Sequence, residues 1–420
     1  MRWMMKSAIG IVVSLMLVSS GLVAETPRAK PEDVGISSER LRRIHDLMQR
    51  HIDAGSFSGS VTLVARNGRI AHLEAQGLMD IETRKPTAPD AIFRIMSMTK
   101  PVVGVAIMSL VEEGKVRLND PVSRFLPQFK DLRVAVVQPA AAGGQRGGGT
   151  PAEVRFYTVP VEREITIKDL LTHTSGMVSG TISSQESRKV ALRENESNAD
   201  FVPRLATVPL EFQPGSRWAY SATAAWDTMV LIVEVASGQK FDQFAQQRIF
   251  GPLGMKDTFF YPAESHNSRI ATLYSRTEKG LQQAANPNFM NGVYFSGGGG
   301  LYSTAEDYVQ FGMMLVNGGE WNGKRVLSPR SVEMMRSVFI PDTLPGRPRG
   351  EGFGLSVRVV NDPLQRGTAL SAGSFGWSGA FGTHFWVDPK EKVVAILMTQ
   401  TSTPGLNLDF ENAVMQAIVQ

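Results

Sequence analysis

Strand patterns stand near both ends of this chain, and helical patterns fill the stretch between them. Residues 59–76 read as a hairpin: Ser60-Val61-Thr62-Leu63-Val64-Ala65, a turn at Asn67-Gly68, then Ile70 to Ala75. Near the other end, Thr383-His384-Phe385-Trp386-Val387 and Lys392-Val393-Val394-Ala395-Ile396-Leu397 flank Asp388-Pro389 as a second hairpin. This order predicts one antiparallel sheet built from distant pieces of chain, with a mostly helical region inserted between them. The expected fold class is α/β in the α+β sense, an antiparallel sheet flanked by N- and C-terminal helices. Residues 25–95 and 290–420 are assigned to the α/β domain, and 96–289 to the helical region.

The N-terminal helix is expected over 38–54, capped by Ser37 or Ser38, with Leu41, Ile44, Met48 and Ile52 at helical spacing. Further helices are expected from Val102 to Glu113, ending at Gly114, and from Thr166 to Leu171. Others run from Ala224 to Ala236, with Gly238 after the end, over 305–317, and from about Phe410 to Val419. Residues 138–152, rich in Gly, Ala and Pro, read as a flexible insertion in preference to a domain linker.

Residues 1–24 have the pattern of an export signal. Arg2 and Lys6 form the positive start, Ala8 to Leu17 the apolar run, and Leu22-Val23-Ala24 a small-residue exit. The apolar run is short for a span of about 20 residues, so a cleaved signal is preferred to a membrane anchor, and no stable membrane insertion is expected. The expected location is the bacterial periplasm or the medium. The chain has no cysteine, which excludes disulfides, thiolate metal sites and a Cys nucleophile. Its formal charge of +4 is dispersed, so nucleic acid is not an expected partner. A monomer is the default expectation.

The six histidines form no His-Glu-x-x-His pair, and neither a phosphate-binding loop nor a Gly-x-Ser-x-Gly elbow occurs. Ser97-Met98-Thr99-Lys100 offers different chemistry. A serine is a poor nucleophile until a base takes its proton, and a lysine three residues on shares its helical face. Pro101 belongs in a first helical turn, which sets Ser97 near the N-terminus. Apolar neighbours (Phe93, Ile95, Met96, Val102, Val103) would lower the lysine pKa. Taken alone, this pattern also fits a helix cap with a surface lysine. A second copy, Ser237 to Lys240, crosses a helix-ending glycine and reads as structural. Two more stretches tip the balance: Tyr220-Ser221-Ala222 before a helix, and Phe375-Gly376-Trp377-Ser378-Gly379-Ala380-Phe381-Gly382 before a strand.

In order and separation, Ser97-x-x-Lys100, Tyr220-Ser221-x and Trp377-Ser378-Gly379 resemble the three motifs of the serine β-lactamase and penicillin-binding-protein superfamily. The chain looks most like the class C β-lactamase branch and the related family VIII carboxylesterases, over about residues 30–415. The resemblance implies a β-lactamase/transpeptidase-like fold and no cofactor or metal. It implies Ser97 as acylated nucleophile, Lys100 as a partner in its activation and Tyr220 as general base. It also implies an oxyanion hole from the Ser97 and Ala380 N–H groups, and substrate binding by Trp377, Ser378 and Gly379. Two departures matter. Ala222 stands where the lactamases carry Asn, and alanine is expected to make neither the substrate nor the lysine contact of that Asn. Trp377 stands where they carry Lys or His, which replaces a charge by apolar surface and one N–H donor. The expected substrate is therefore a small short-chain carboxylic ester, with a β-lactam or D,D-peptide as the alternative. His173 is expected to be a structural joint, and Gly297–Gly300 a tight turn beside the cleft. Trp218, Phe295 and Tyr294 are read as core side chains with a competing role in a substrate pocket.

Overall fold

The computed structural model describes residues 26–138, 154–287, 289, 292–341 and 343–420. The expected signal at 1–24 lies outside the described residues, and so does the expected insertion at 138–152 apart from Gln138. Eight strands form the main sheet: β1 Gly59–Arg66, β2 Arg69–Asp80, β3 Lys85–Pro86, β4 Glu351–Phe353, β5 Arg358–Val360, β6 Phe375–Ser378, β7 His384–Asp388 and β8 Val393–Met398. Their spatial order is β4-β5-β6-β7-β8-β1-β2-β3. The two ends of the chain meet where β1 pairs antiparallel with β8, from Val61 opposite Met398 to Arg66 opposite Val393. Asn67 and Gly68 both adopt positive φ (51° and 77°), as a two-residue hairpin turn with the right twist requires.

The two central strands are buried on both faces, so they read as continuous apolar runs. On one face Val64, Ala395, Leu397 and Trp386 pack against helix α1, Ser38–Asp53, and the C-terminal helix. On the other, Val61, Leu63, Ile396 and Met398 belong to a core that also holds α2, Thr99–Glu112. That core takes in α3, Ile167–Leu171, α4, Ala224–Ser237, and α5, Ala305–Val316. Helix α2 is buried on all sides from Thr99 to Met108, is apolar there apart from Thr99 and Lys100, and packs against α4.

One expectation needs correction. The last helix, α6, spans Leu406–Met415, not about 410–419. The final residues instead join the segment before α1: Ser37 N–H donates to Ala417 O at 2.8 Å, and Val419 N–H to Gly35 O at 3.0 Å. The flanks of the 138–152 stretch are strands. Arg133–Val137 and Phe156–Pro160 pair as an antiparallel hairpin. A second hairpin, Tyr274–Thr277 with Gly280–Gln283, lies in the stretch assigned as mostly helical.

Candidate active site

Ser97 sits in a single 3₁₀ turn, Met96–Met98, that runs directly into α2. The chain entering this turn is gripped from two sides. Ile95 N–H donates to Leu301 O at 3.0 Å, and Thr383 Oγ1 donates to Ile95 O at 3.0 Å. Met96 then takes φ of 48°, a left-handed conformation that a non-glycine residue adopts only when its surroundings impose it.

The structure brings Ser97, Lys100 and Tyr220 together. Ser97 Oγ lies 2.7 Å from the Tyr220 hydroxyl and 3.0 Å from Lys100 Nζ. Lys100 is fully buried, and Nζ also donates to Ala222 O and Gly298 O, each at 2.7 Å. Three acceptors match the three protons of an ammonium. A neutral amine fits as well, with two N–H groups on the carbonyls and the lone pair toward Ser97. Burial pulls the Lys100 pKa below its ordinary value, while Tyr220 and Asp227 push it back up. The Ala222 contact corrects the sequence reading. Alanine lacks the side-chain group of Asn, yet its backbone carbonyl holds the lysine.

Gly298 is the other lysine acceptor, and a Cβ there would lie 2.6 Å from Ala222 O and 2.7 Å from Thr223 Cα. Glycine is needed for this close approach. Gly297–Gly300 form the expected turn, closed by Gly300 N–H to Ser296 O at 2.8 Å. Behind it lies fully buried Asp227, which accepts from Ser296 Oγ at 3.0 Å and from Gly298 N–H at 3.3 Å. Burial pushes its pKa up to about 6, against hydrogen bonds from Tyr294, Ser296 and Gly298 and the charge of Lys100.

His173 is buried at the back of the site with φ of 58°. Its carbonyl accepts from Ala219 N–H at 3.1 Å, and its Nδ1 accepts from Ser221 N–H at 3.1 Å. It therefore holds both neighbours of Tyr220. Burial drives its pKa well down, so the ring is neutral with its proton on Nε2. It is a structural joint, as expected.

Strand β6 forms the opposite wall. Trp377 lies 5.7 Å from the Tyr220 ring and 5.3 Å from Phe353 between centroids. Its Nε1 is buried, with no hydrogen-bond partner among the described residues, so the indole shows the cleft apolar surface and not the expected donor. Ser378 lines the cleft beside it. A Cβ on Gly379 would meet Thr383 Oγ1 at 2.1 Å and Ile95 O at 2.4 Å, so this position must be glycine. The turn after β6 engages Gly379 N–H and Gly382 N–H, and leaves Ala380 N–H without a backbone acceptor among the described residues. Ala380 is exposed at the cleft edge.

The cleft encloses about 520 Å³. Trp218 lines it, whereas Phe295 faces a separate surface pocket and Tyr294 is buried near Asp227. Loss of the motif lysine does not leave the cleft free of cations, because Arg347 and Arg358 also line it. Both are committed elsewhere. Arg347 donates to Glu351 O and Gly352 O, each at 2.9 Å, and Arg358 pairs with Glu411 at 3.0 Å. The sequence reading missed these arginines and Asp227, since nothing local marks a charged residue as a cleft neighbour.

The sequence matches the family described as Beta-lactamase over residues 44–420. The chain belongs to the β-lactamase family. Among relatives in this family, it is 38% identical to an uncharacterized protein of Mycobacterium tuberculosis, over 86% of this chain and 90% of that protein. It is 30% identical to Esterase EstB of Burkholderia gladioli, over 93% of this chain and 97% of that protein. Among solved structures, EstCE1, described as a hydrolase with promiscuous acyltransferase activity, matches with a TM-score of 0.73. The identity there is 26%, over 91% of this chain and 99% of the other.

Proposed function

We propose that this protein is a serine carboxylesterase that hydrolyses short-chain esters through an acyl-enzyme on Ser97. Ser97 Oγ attacks the ester carbonyl carbon while its proton passes to Tyr220, which acts as a phenolate because its own proton is held on Lys100 as the ammonium. The carbonyl oxygen becomes an oxyanion, received by the Ser97 and Ala380 N–H groups. Such a donor contributes about 2.7–4 kcal/mol to the transition state. Collapse breaks the bond to the alcohol, which leaves with the proton from Tyr220. A water that gives its proton to Tyr220 then attacks the acyl carbon, releasing the acid and restoring Ser97. One observation carries the reading: Tyr220 and Lys100 both lie within hydrogen-bond distance of Ser97 Oγ. The apolar faces of Trp377 and Trp218 and the prior pairing of Arg347 and Arg358 favour a neutral ester over an anionic lactam or peptide. The relation to EstB and EstCE1 supports the same choice.

The test is kcat/KM for p-nitrophenyl acetate and butyrate beside benzylpenicillin and nitrocefin. Esters should be the better substrates, and Ser97→Ala should abolish their turnover while leaving the fold intact. Faster turnover of both lactams than of any ester would reverse the assignment. Undiminished hydrolysis by Ser97→Ala would remove its nucleophile.

We also assign residues 1–24 to an export signal and the mature enzyme to the periplasm or medium, as a monomer. The charged start and short apolar run support export, and no helix among the described residues is long and apolar enough to cross a membrane. N-terminal sequencing of the exported protein and sedimentation of the purified enzyme check both assignments.

A further inference from the structure

Behind Ser378 runs a buried chain of polar groups that the proposed mechanism does not use. Ser378 Oγ lies 2.8 Å from His384 Nδ1, and His384 Nε2 lies 3.1 Å from Glu411 Oε1. The side chains of His384 and Glu411 are both fully buried. Glu411 also receives Arg358 at 3.0 Å, Arg366 at 2.8 Å and Thr368 Oγ1 at 3.2 Å. From α6, which also carries Glu411, Asn407 Nδ2 donates to Ser378 Oγ at 3.2 Å.

The directions of these hydrogen bonds follow from the donors available. Burial pushes the Glu411 carboxyl up, but His384, Arg358 and Arg366 together hold it below the ordinary carboxylate range, so it is ionised and only accepts. His384 Nε2 must then carry a proton. A second proton, on Nδ1, would put a further buried positive charge beside Arg358 and Arg366, which Glu351 and Glu411 already face. Burial also lowers the pKa of His384, with Glu411 opposing and the two arginines adding to it. The ring is therefore neutral and Nδ1 accepts. The Ser378 hydroxyl has a single proton, and it is committed to Nδ1. Asn407 takes one lone pair of Oγ, and the other is left for the cleft.

We infer that Ser378, held by His384 and Glu411, is a specificity residue that presents the cleft with an acceptor and no donor, and so selects esters that carry a hydroxyl or amide N–H over those that carry a carboxylate. This inference rests on the ester reading and names the substrate class within it. A serine that kept its proton for the cleft would accommodate an anion. Here an anionic group would meet a lone pair. The neighbouring guanidiniums offset this little, because each already faces a carboxylate or a carbonyl.

The experiment compares matched esters that differ by one donor. On the acyl side these are p-nitrophenyl 3-hydroxybutyrate and 3-methoxybutyrate, with mono-p-nitrophenyl succinate as the carboxylate. On the alcohol side they are 2-hydroxyethyl and 2-methoxyethyl butyrate, followed by acid release. A neutral hydrogen bond corresponds to about 3- to 10-fold in kcat/KM, so the hydroxyl ester of one pair should lead its ether by that factor. The succinate should be the poorest acyl substrate, and Ser378→Ala should remove the hydroxyl preference. The ¹⁵N spectrum of His384 in the wild-type enzyme at pH 7 should show a protonated Nε2 and an unprotonated Nδ1. Equal rates within both pairs, a preference for the succinate, a hydroxyl preference that survives in Ser378→Ala, or a doubly protonated His384 would each overturn the inference. Butyrate turnover separates the two claims. Its absence removes the esterase reading, whereas its presence without donor selection removes only the role of Ser378.

Discussion

His173 and Tyr220 lie ring against ring, 4.8 Å between centroids, and His173 takes up the backbone on both sides of that tyrosine. A motif residue in an irregular segment thereby has a fixed position without a helix or strand of its own. His173→Leu should lower kcat about 10- to 100-fold with a smaller change in KM, since a displacement near 1 Å is enough for such a loss. His173→Asn retains a side-chain acceptor and tolerates the left-handed backbone, so it should recover part of kcat. Steady-state kinetics of the two variants, with circular dichroism as a check on folding, decide this. An unchanged kcat in the leucine variant would show that Ser221 needs no such anchor.

The lysine carbonyls make a second prediction. Gly298→Ala inserts a methyl group 2.6 Å from Ala222 O and forces the two acceptors of Lys100 apart. Overpacking of this kind costs about 1–3 kcal/mol of stability. Esterase activity should fall further than that destabilisation accounts for. Urea unfolding and kcat/KM on p-nitrophenyl butyrate measure both effects.

Asp227 gives the protein a pH signature. Its folded pKa, pushed up to about 6, exceeds the ordinary value of 3.8. The folded state thus binds more protons between those values, and stability from this group is present below about pH 4 and lost as pH rises through 6. Asp227→Asn should flatten that part of the stability profile. It also removes a negative charge that raises the Lys100 pKa, so the Lys100-linked limb of the kcat/KM profile should move to lower pH. A limb that stays in place would mean that another group titrates there.

Trp377 supplies cleft wall without charge. Trp377→Ala should raise KM for butyrate esters about 10- to 100-fold, in keeping with the loss of about 1–3 kcal/mol of apolar contact. Trp377→Lys should raise the rate for nitrocefin relative to butyrate, because it restores a cation beside Ser378. A ratio that does not change would show that the indole has no part in substrate choice.

Local patterns in the chain were enough to identify the hairpins around Asn67-Gly68 and Asp388-Pro389, helices α1, α2, α4 and α5, and the Ser97–Lys100 pair. Each depends on spacing of two, three or four residues, which one stretch of chain carries within itself. The last helix was misplaced because Ala417 and Val419 bond to residues 37 and 35, a partnership that no nearby residue signals. The same holds for the site. The use of the Ala222 carbonyl in place of a side chain, the approach of Gly298, and the charge of Asp227 behind it arise when α2, α4 and the 296–300 turn are packed together. So does the direction of the Ser378 hydrogen bond, which depends on a glutamate 33 residues away in sequence. Hydrogen-bond direction and pKa depend on which groups share a buried volume, and distance along the chain does not encode that volume.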